Sequence, residues 1–386
     1  MSEIKNFEQI KHFAANISRS KKLKKDDSGY SVPDAVGIKL TNRCNLRCKH
    51  CYEWNKQGYH HQLSDDIRSM DVDFEIIKKC VEETRESNAM FYLWGGEPFV
   101  YRNISETLKL LSDEKRFTVI CTNGLLIDKY IEVLCLFDER IELLFALDGD
   151  CESNDALRGN GNYALATENI FKMISLKKDG DFKGTISVHT MVSNENLAHL
   201  EEHVDYLDRI GTDQLILCFP WYISENTSCE MDTFFQENLN FIHGEIKSVP
   251  SWHAYKYKIT PENYDAVHNV INKIKGKKRR MNIRYQPDII GDELTGFLEG
   301  RNIANCAGRE CYTIYSRLDV LPTGDVSPCK HFQELAYGNL HNHSLLDLWN
   351  SEKLKEIRRI LSEKQMPVCS KCNNLYQHSY KSTKEN

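Results

Sequence analysis

From about Val32 the chain alternates short, continuous apolar runs with longer amphipathic ones. VGIKL (Val36 to Leu40), MFYLW (Met90 to Trp94), FTVIC (Phe117 to Cys121), IELLFALDG (Ile141 to Gly149), TISVHTMV (Thr185 to Val192) and QLILCF (Gln214 to Phe219) predict strands. Between them lie DVDFEIIKKCVEETRES (Asp71 to Ser87, with Asp71 as its cap), ISETLKLLSDE, LIDKYIEVLCLF, YALATENIFKMISLKK and NLAHLEEHVDYLDRIG. These carry the spacing of amphipathic helices. Six strands with five helices between them call for an α/β fold with parallel strands. A doubly wound sheet and a barrel share this pattern, because both cover the strands on two faces. In both, chemistry collects at the carboxyl ends of the strands.

From Trp221 the alternation stops. Residues 221–305 hold a helical stretch from Asp232 to Lys247, the aromatic SWHAYKYKITPENY, a basic GKKRR and RYQPDIIGDELTGF, with no assignable fold. A second cysteine-rich stretch opens at Cys306. Within it PTGDVSPC predicts a hairpin turning at Gly324, and a CxxC follows a helix ended by Pro367. The expected organisation is an extension over 1–34, a strand–helix unit over 35–220, a connecting region over 221–305 where specificity resides, and a C-terminal unit over 306–386.

Composition narrows the partners. Of 386 residues, 41% are hydrophobic and 27% charged, as in an ordinary globular protein. A net charge of −6 offers no basic face for nucleic acid or an anionic membrane. SKKLKKDD is followed at once by two acids and reads as a solvated segment. No apolar run approaches the roughly 18 residues of a membrane span, and the N-terminus lacks the apolar block of a signal peptide, so a cytoplasmic location is expected. In that reducing compartment the 14 cysteines point to metal rather than disulfides. Cys80, Cys121, Cys135 and Cys218 lie in apolar surroundings and read as small buried hydrophobes.

After the first strand comes TNRCNLRCKHCYEWN, with Cys44, Cys48 and Cys51 close together and no fourth cysteine. Three thiolates suit zinc, which takes four ligands when structural and three plus water when catalytic. They also suit three irons of a four-iron cube with one iron left open. A zinc knuckle presents paired ligands, and His50 lies between two cysteines, where it points away from their shared centre. The CxxxCxxC spacing, placed after the first strand of a parallel α/β run, resembles the radical SAM superfamily. The resemblance implies a partial (β/α)6 TIM-like barrel and a [4Fe–4S] cluster on Cys44, Cys48 and Cys51. Its open iron would bind the amino and carboxylate groups of S-adenosylmethionine. Reductive cleavage would release a 5′-deoxyadenosyl radical, which takes a hydrogen atom from the substrate. His50, before the third cysteine, would lie near the adenine.

The second strand ends in WGGEP. Two glycines let a backbone approach a ligand, and a carboxylate can accept from an ammonium group. By resemblance Gly95, Gly96 and Glu97 contact the methionine amine, and Asn123 of the TNG after strand three joins the cofactor-binding set. LDGDCESNDALRGNGNY (Leu147 to Tyr163) is similar to a stretch of family members that modify peptides. It implies Asp148, Asp155 and Arg158 near the mouth, with Asp148 and Arg158 catalytic. Such members often carry serine where this chain has Ala146, which leaves that contact without a side chain. His189 and Asn194, near the end of strand five, are weaker candidates.

Cys311, Cys329, Cys369 and Cys372 make a second group. Two thiols near a hairpin plus a CxxC suit zinc or a closed iron–sulfur cluster equally. The run C-x12-G-x4-C, then GNL, then DLWNS and CxxC, resembles the SPASM/twitch extension of radical SAM enzymes, a smaller α+β domain. No cysteine follows Cys372, so the resemblance implies one auxiliary [4Fe–4S] cluster on these four, with Cys306 spare.

A four-cysteine auxiliary cluster has no open iron and would accept or relay an electron. That favours an oxidative change, such as a crosslink or thioether, in a ribosomally made peptide. The short stretch before strand one implies a separate leader-binding protein or a direct groove, and flavodoxin or ferredoxin would supply electrons. The alternatives are a small-molecule dehydrogenase acting on a sugar or cyclitol alcohol, with Arg158 or Arg284 as base, and a peptide epimerase. Epimerisation needs a hydrogen-atom donor, for which Cys151, Cys218, Cys229 or Cys306 would serve.

Overall fold

The computed structural model describes residues 32–244, 246, 248–301 and 311–378. The expectations for Cys306 and for residues 1–31 fall outside these. The fold is built on one ten-stranded sheet in the order β10-β9-β8-β1-β2-β3-β4-β5-β6-β7. Strands β1 (Ala35–Lys39), β2 (Met90–Trp94), β3 (Thr118–Thr122), β4 (Ile141–Ala146), β5 (Thr185–Met191) and β6 (Gln214–Cys218) are the expected six, each parallel to the next. The α/β reading with a partial parallel barrel therefore holds.

Two additions extend the barrel. Strand β7 (Asn282–Gln286) arises from the connecting region and pairs in parallel with β6. Its sequence NIRYQ lacks an apolar run because Arg284 and Gln286 line the cavity and no residue of the strand is fully buried. On the other edge, β8 (Arg317–Val320) pairs in parallel with β1, and β9 (Asp325–Ser327) and β10 (Gly338–Asn339) follow antiparallel. The expected hairpin thus joins the barrel sheet directly, turning at Gly324 with φ of 82°.

Helices α1 (Phe74–Glu83), α2 (Ile104–Asp113), α3 (Ile131–Leu134), α4 (Cys151–Arg158), α5 (Asn162–Asp179) and α6 (Leu200–Ile210) connect the strands. Their apolar faces join the strand residues in one core, including Ile77, Leu108, Ile170 and Val204. Asp71 does not cap α1. Asp73 does, accepting from Glu75 N at 3.0 Å, while Asp71 is held by Arg43. LIDKYIEVLCLF forms a 3-10 turn and only the short α3. The helix expected over Asp232 to Lys247 lies earlier, as α7 (Glu225–Asn238), because Ser224 caps it by accepting from Thr227 N at 3.2 Å. The aromatic stretch after it is mostly irregular and buries Trp252 and Tyr255. The helix before the CxxC, α8 (Glu352–Glu363), ends ahead of Pro367, which instead opens a 3-10 turn carrying Cys369. Among the described residues no helix is long and apolar enough to cross a membrane.

Candidate active site

The strand ends and the C-terminal segment enclose a cavity of about 550 Å³. Its wall includes Cys44, Cys48, Cys51, Arg158, His189 and Lys330.

The first cysteine loop is clamped by backbone contacts. Arg43 forms a bidentate pair with Asp71, its Nη2 at 2.6 Å from Oδ2, and donates to Val100 O at 2.9 Å. Gly96 N donates to Thr41 O and Glu97 N to Arg43 O, both at 2.9 Å. A Cβ on Gly96 would come within 2.1 Å of Arg43 O, and one on Gly95, at φ of 144°, within 2.5 Å of Thr41 O. The two glycines are therefore required by the approach of one loop to another.

Each sulfur of this loop has at least one N–H donor aimed at it. Leu46 N lies 3.4 Å from Cys44 Sγ, Trp54 N 3.3 Å from Cys51 Sγ, and Arg158 Nη1 3.9 Å from Cys48 Sγ. Burial pushes the Cys51 thiol up to about 12, and raises Cys44 and Cys48 as well. Buried thiols with aimed N–H groups suit thiolate ligands, which need both low polarity around them and donors to the sulfur. Among the described residues no three Cys, His, Asp or Glu side chains converge as tightly as a single metal ion requires.

Glu97 is turned into the protein. It accepts from Thr122 Oγ1 at 2.7 Å, Asn123 N at 2.8 Å and Phe99 N at 3.2 Å. Burial pushes its carboxyl up to about 7 against these donors. Asn123 Nδ2 reaches Asn45 Oδ1 at 2.8 Å, tying strand three to the cysteine loop. These side chains brace the loop, and both Glu97 and Asn123 also border the cavity.

Asp148 centres a second network. Its Oδ2 lies 2.7 Å from Arg158 Nε and 2.8 Å from His50 Nε2, and its Oδ1 accepts from Met191 N at 2.8 Å. Burial alone would raise this carboxyl, but Arg158 and His50 hold it well below the usual range. His50, Asp148 and Arg158 are thus brought together beside Cys48. Asp155 is not at the mouth. It accepts from Gly161 N at 2.6 Å and Tyr163 N at 2.8 Å, closing the turn before α5. Asn194 anchors the connecting region by accepting from Thr260 N at 2.9 Å. His189 lines the cavity, and burial pushes its pKa down to about 4.

In the C-terminal group, Cys369 lies within electrostatic reach of Cys372, Cys311 and Cys329, and burial raises it far above a free thiol. Burial also pushes Cys329 up to about 12. Of the proposed hydrogen-atom donors, Cys218 lines the cavity, with Asn373 Nδ2 at 3.1 Å from its Sγ, whereas Cys151 and Cys229 are exposed. Arg284 sits on the cavity wall with Glu142 as its neighbouring charge.

Sequence reasoning missed Lys330, Arg317, Trp221 and His331, which also line the cavity. The signal available was the position of Lys330 and His331 directly after Cys329. Gly37 opposite is equally specific, because a Cβ there would meet Asp319 Oδ1 at 1.9 Å. Only glycine leaves room for the buried Arg317–Asp319 pair inside the barrel.

Residues 38–207 match the model of the radical SAM superfamily, and residues 311–373 match that of the SPASM iron–sulfur cluster-binding domain. A tungsten-containing aldehyde ferredoxin oxidoreductase cofactor-modifying protein of Pyrococcus furiosus is 23% identical over 345 residues, covering 87% of this chain and 86% of that one. The antilisterial bacteriocin subtilosin biosynthesis protein AlbA of Bacillus subtilis is 21% identical over 354 residues, covering 89% of this chain and 65% of its own. The fold is shared with Streptococcus suis SuiB, solved bound to its precursor peptide SuiA, with a TM-score of 0.59 and 17% identity, covering 92% of this chain and 73% of that one. With both models matched at the two cysteine groups, the chain belongs to the radical SAM superfamily as an enzyme with a SPASM domain, whose cofactors are a [4Fe–4S] cluster, S-adenosylmethionine and auxiliary iron–sulfur.

Proposed function

We propose that the chain is a maturase that makes an oxidative change in a ribosomally made peptide. The observation that carries this reading is the single cavity onto which the first cysteine loop, Arg158 and the segment after Cys329 all open. The same volume would also hold the cluster and S-adenosylmethionine, so it suits a substrate side chain or a short segment rather than a folded partner. AlbA serves biosynthesis of a bacteriocin and SuiB binds a precursor peptide, which supports a peptide as substrate here. In this reading Cys44, Cys48 and Cys51 hold the catalytic cluster. Gly95, Gly96, Glu97 and Asn123 shape the S-adenosylmethionine pocket, and His50 borders it. When bound, cluster and S-adenosylmethionine supply a 5′-deoxyadenosyl radical for hydrogen abstraction. Asp148 and Arg158 fix the charge beside Cys48 and exclude water from it. Cys311, Cys329, Cys369 and Cys372 would hold one auxiliary cluster, which would supply an electron acceptor for an oxidative change. A reduced flavodoxin or ferredoxin supplies the reducing electron.

A small-molecule substrate is the second reading. The Pyrococcus furiosus relative is named for modifying a cofactor, and the cavity has a polar floor with Glu142 and Arg284. Deuterium transfer decides between them. Perdeuterated peptides encoded beside the gene are expected to deliver deuterium to 5′-deoxyadenosine. Transfer only from deuterated sugars or cyclitols would overturn the peptide reading.

A further inference from the structure

We propose that Lys330 anchors a carboxylate of the substrate inside the cavity. This deepens the reading of the cavity as the substrate site and rests on it. Lys330 follows Cys329, and its side chain turns into the barrel. Its Nζ donates to Tyr92 Oη at 3.2 Å and lies 4.4 Å from the Tyr92 ring centroid and 5.0 Å from that of Trp94. Tyr92, Trp94 and Lys330 all line the cavity.

The other cavity cations on this side have carboxylates. Arg158 has Asp148 at 2.7 Å, and Arg317 has Asp319 at 2.6 Å. Beneath them Lys39 has Glu53 at 2.6 Å. Among the described residues no carboxylate lies within ion-pair distance of Lys330. A half-buried ammonium with no carboxylate beside it keeps a positive charge facing the cavity, which the aromatic faces offset only in part. A carboxylate entering the cavity completes the site, with a charge-assisted hydrogen bond to Nζ. Tyr92 and Trp94 belong to β2, whose carboxyl end continues into Gly95–Gly96 against the first cysteine loop. A substrate acid held there lies in the chamber where abstraction takes place. The substrate class is therefore a residue or molecule with a carboxylate near the reacting carbon.

The test uses the reconstituted holoenzyme with S-adenosylmethionine. Binding of N-acetyl-glutamate methylamide, N-acetyl-glutamine methylamide and glutarate is measured by calorimetry. The glutamate compound is expected to bind about tenfold tighter than its glutamine isostere, the size of one charged hydrogen bond. That preference is expected to vanish in Lys330→Met and return in Lys330→Arg, with iron content unchanged. Equal binding of the two compounds, or no binding of any probe, overturns the proposal in the wild type without a variant. A preference that survives Lys330→Met while the auxiliary cluster's potential shifts also overturns it, because Lys330 would then serve the neighbouring cluster. Lys330-dependent binding of glutarate alone keeps the anion site and removes the peptide reading.

Discussion

The guanidinium of Arg158 stands 3.9 Å from Cys48 Sγ while its Nε is fixed at 2.7 Å by Asp148. One residue thus joins the buried acid just after the fourth strand to a cysteine after the first. Replacing it with glutamine removes both a donor to the sulfur and a neighbouring positive charge. The midpoint potential of the catalytic cluster is expected to fall, since donors to sulfur favour the reduced state. Potentiometric titration followed by electron paramagnetic resonance checks this, and the auxiliary signal should not move. The variant also leaves Asp148 short of its main partner, at a cost of about 3 kcal/mol in denaturant unfolding.

Gly96→Ala tests the clamp between the two loops. The new methyl group would meet Arg43 O at 2.1 Å, so the cysteine loop must shift. The expected result is loss of the catalytic cluster with retention of the auxiliary one, read as a halved iron content. An unchanged iron content would show that the loop can yield.

His203 supplies a pH dependence. It is buried, its Nε2 lies 3.1 Å from Thr190 Oγ1, and burial pushes its pKa down to about 4. The folded value lies below the unfolded one, so the neutral ring's stabilisation is complete above about pH 6.5 and is lost as pH falls toward 4. The stability gap between wild type and His203→Gln should narrow on acidification, by at most about 1.4 kcal/mol per pH unit. Urea unfolding at pH 7.5 and pH 5 measures it. A gap that is constant or widens would contradict the assignment.

Cys218 separates oxidation from epimerisation. Its thiol lines the cavity, so it is placed to return a hydrogen atom to a substrate radical. In the oxidative reading Cys218→Ala still yields the product of the wild-type enzyme. If the variant instead stalls with deuterium missing from a product formed in D2O, the reaction is an epimerisation.

The parallel strands were legible because most of their residues are buried, so that each reads as a largely apolar run. The first cysteine loop was legible because its ligands are local in sequence. What was not legible depends on approach across the fold. Glu97 stands in a recognisable GGEP, yet nothing local shows that its carboxylate is consumed by Thr122, Asn123 and Phe99. Strand β7 stayed hidden because Arg284 and Gln286 face the cavity, which removes the apolar signature. Asp71 looked like a cap because the helix pattern begins near it, but its partner Arg43 sits a whole loop away. Lys330 carried no motif, and only the barrel closing beside β1 brings it to Tyr92.

We propose that the chain holds two iron–sulfur clusters, one on each cysteine group. The most direct measurement is the iron and sulfide content of anaerobically reconstituted protein, compared with a variant carrying both Cys369→Ala and Cys372→Ala. About eight irons per chain, falling to about four in the variant, is the predicted result for two four-iron cubes. About four irons in both proteins, with zinc in the wild type, would contradict it and make the C-terminal cysteines a structural site.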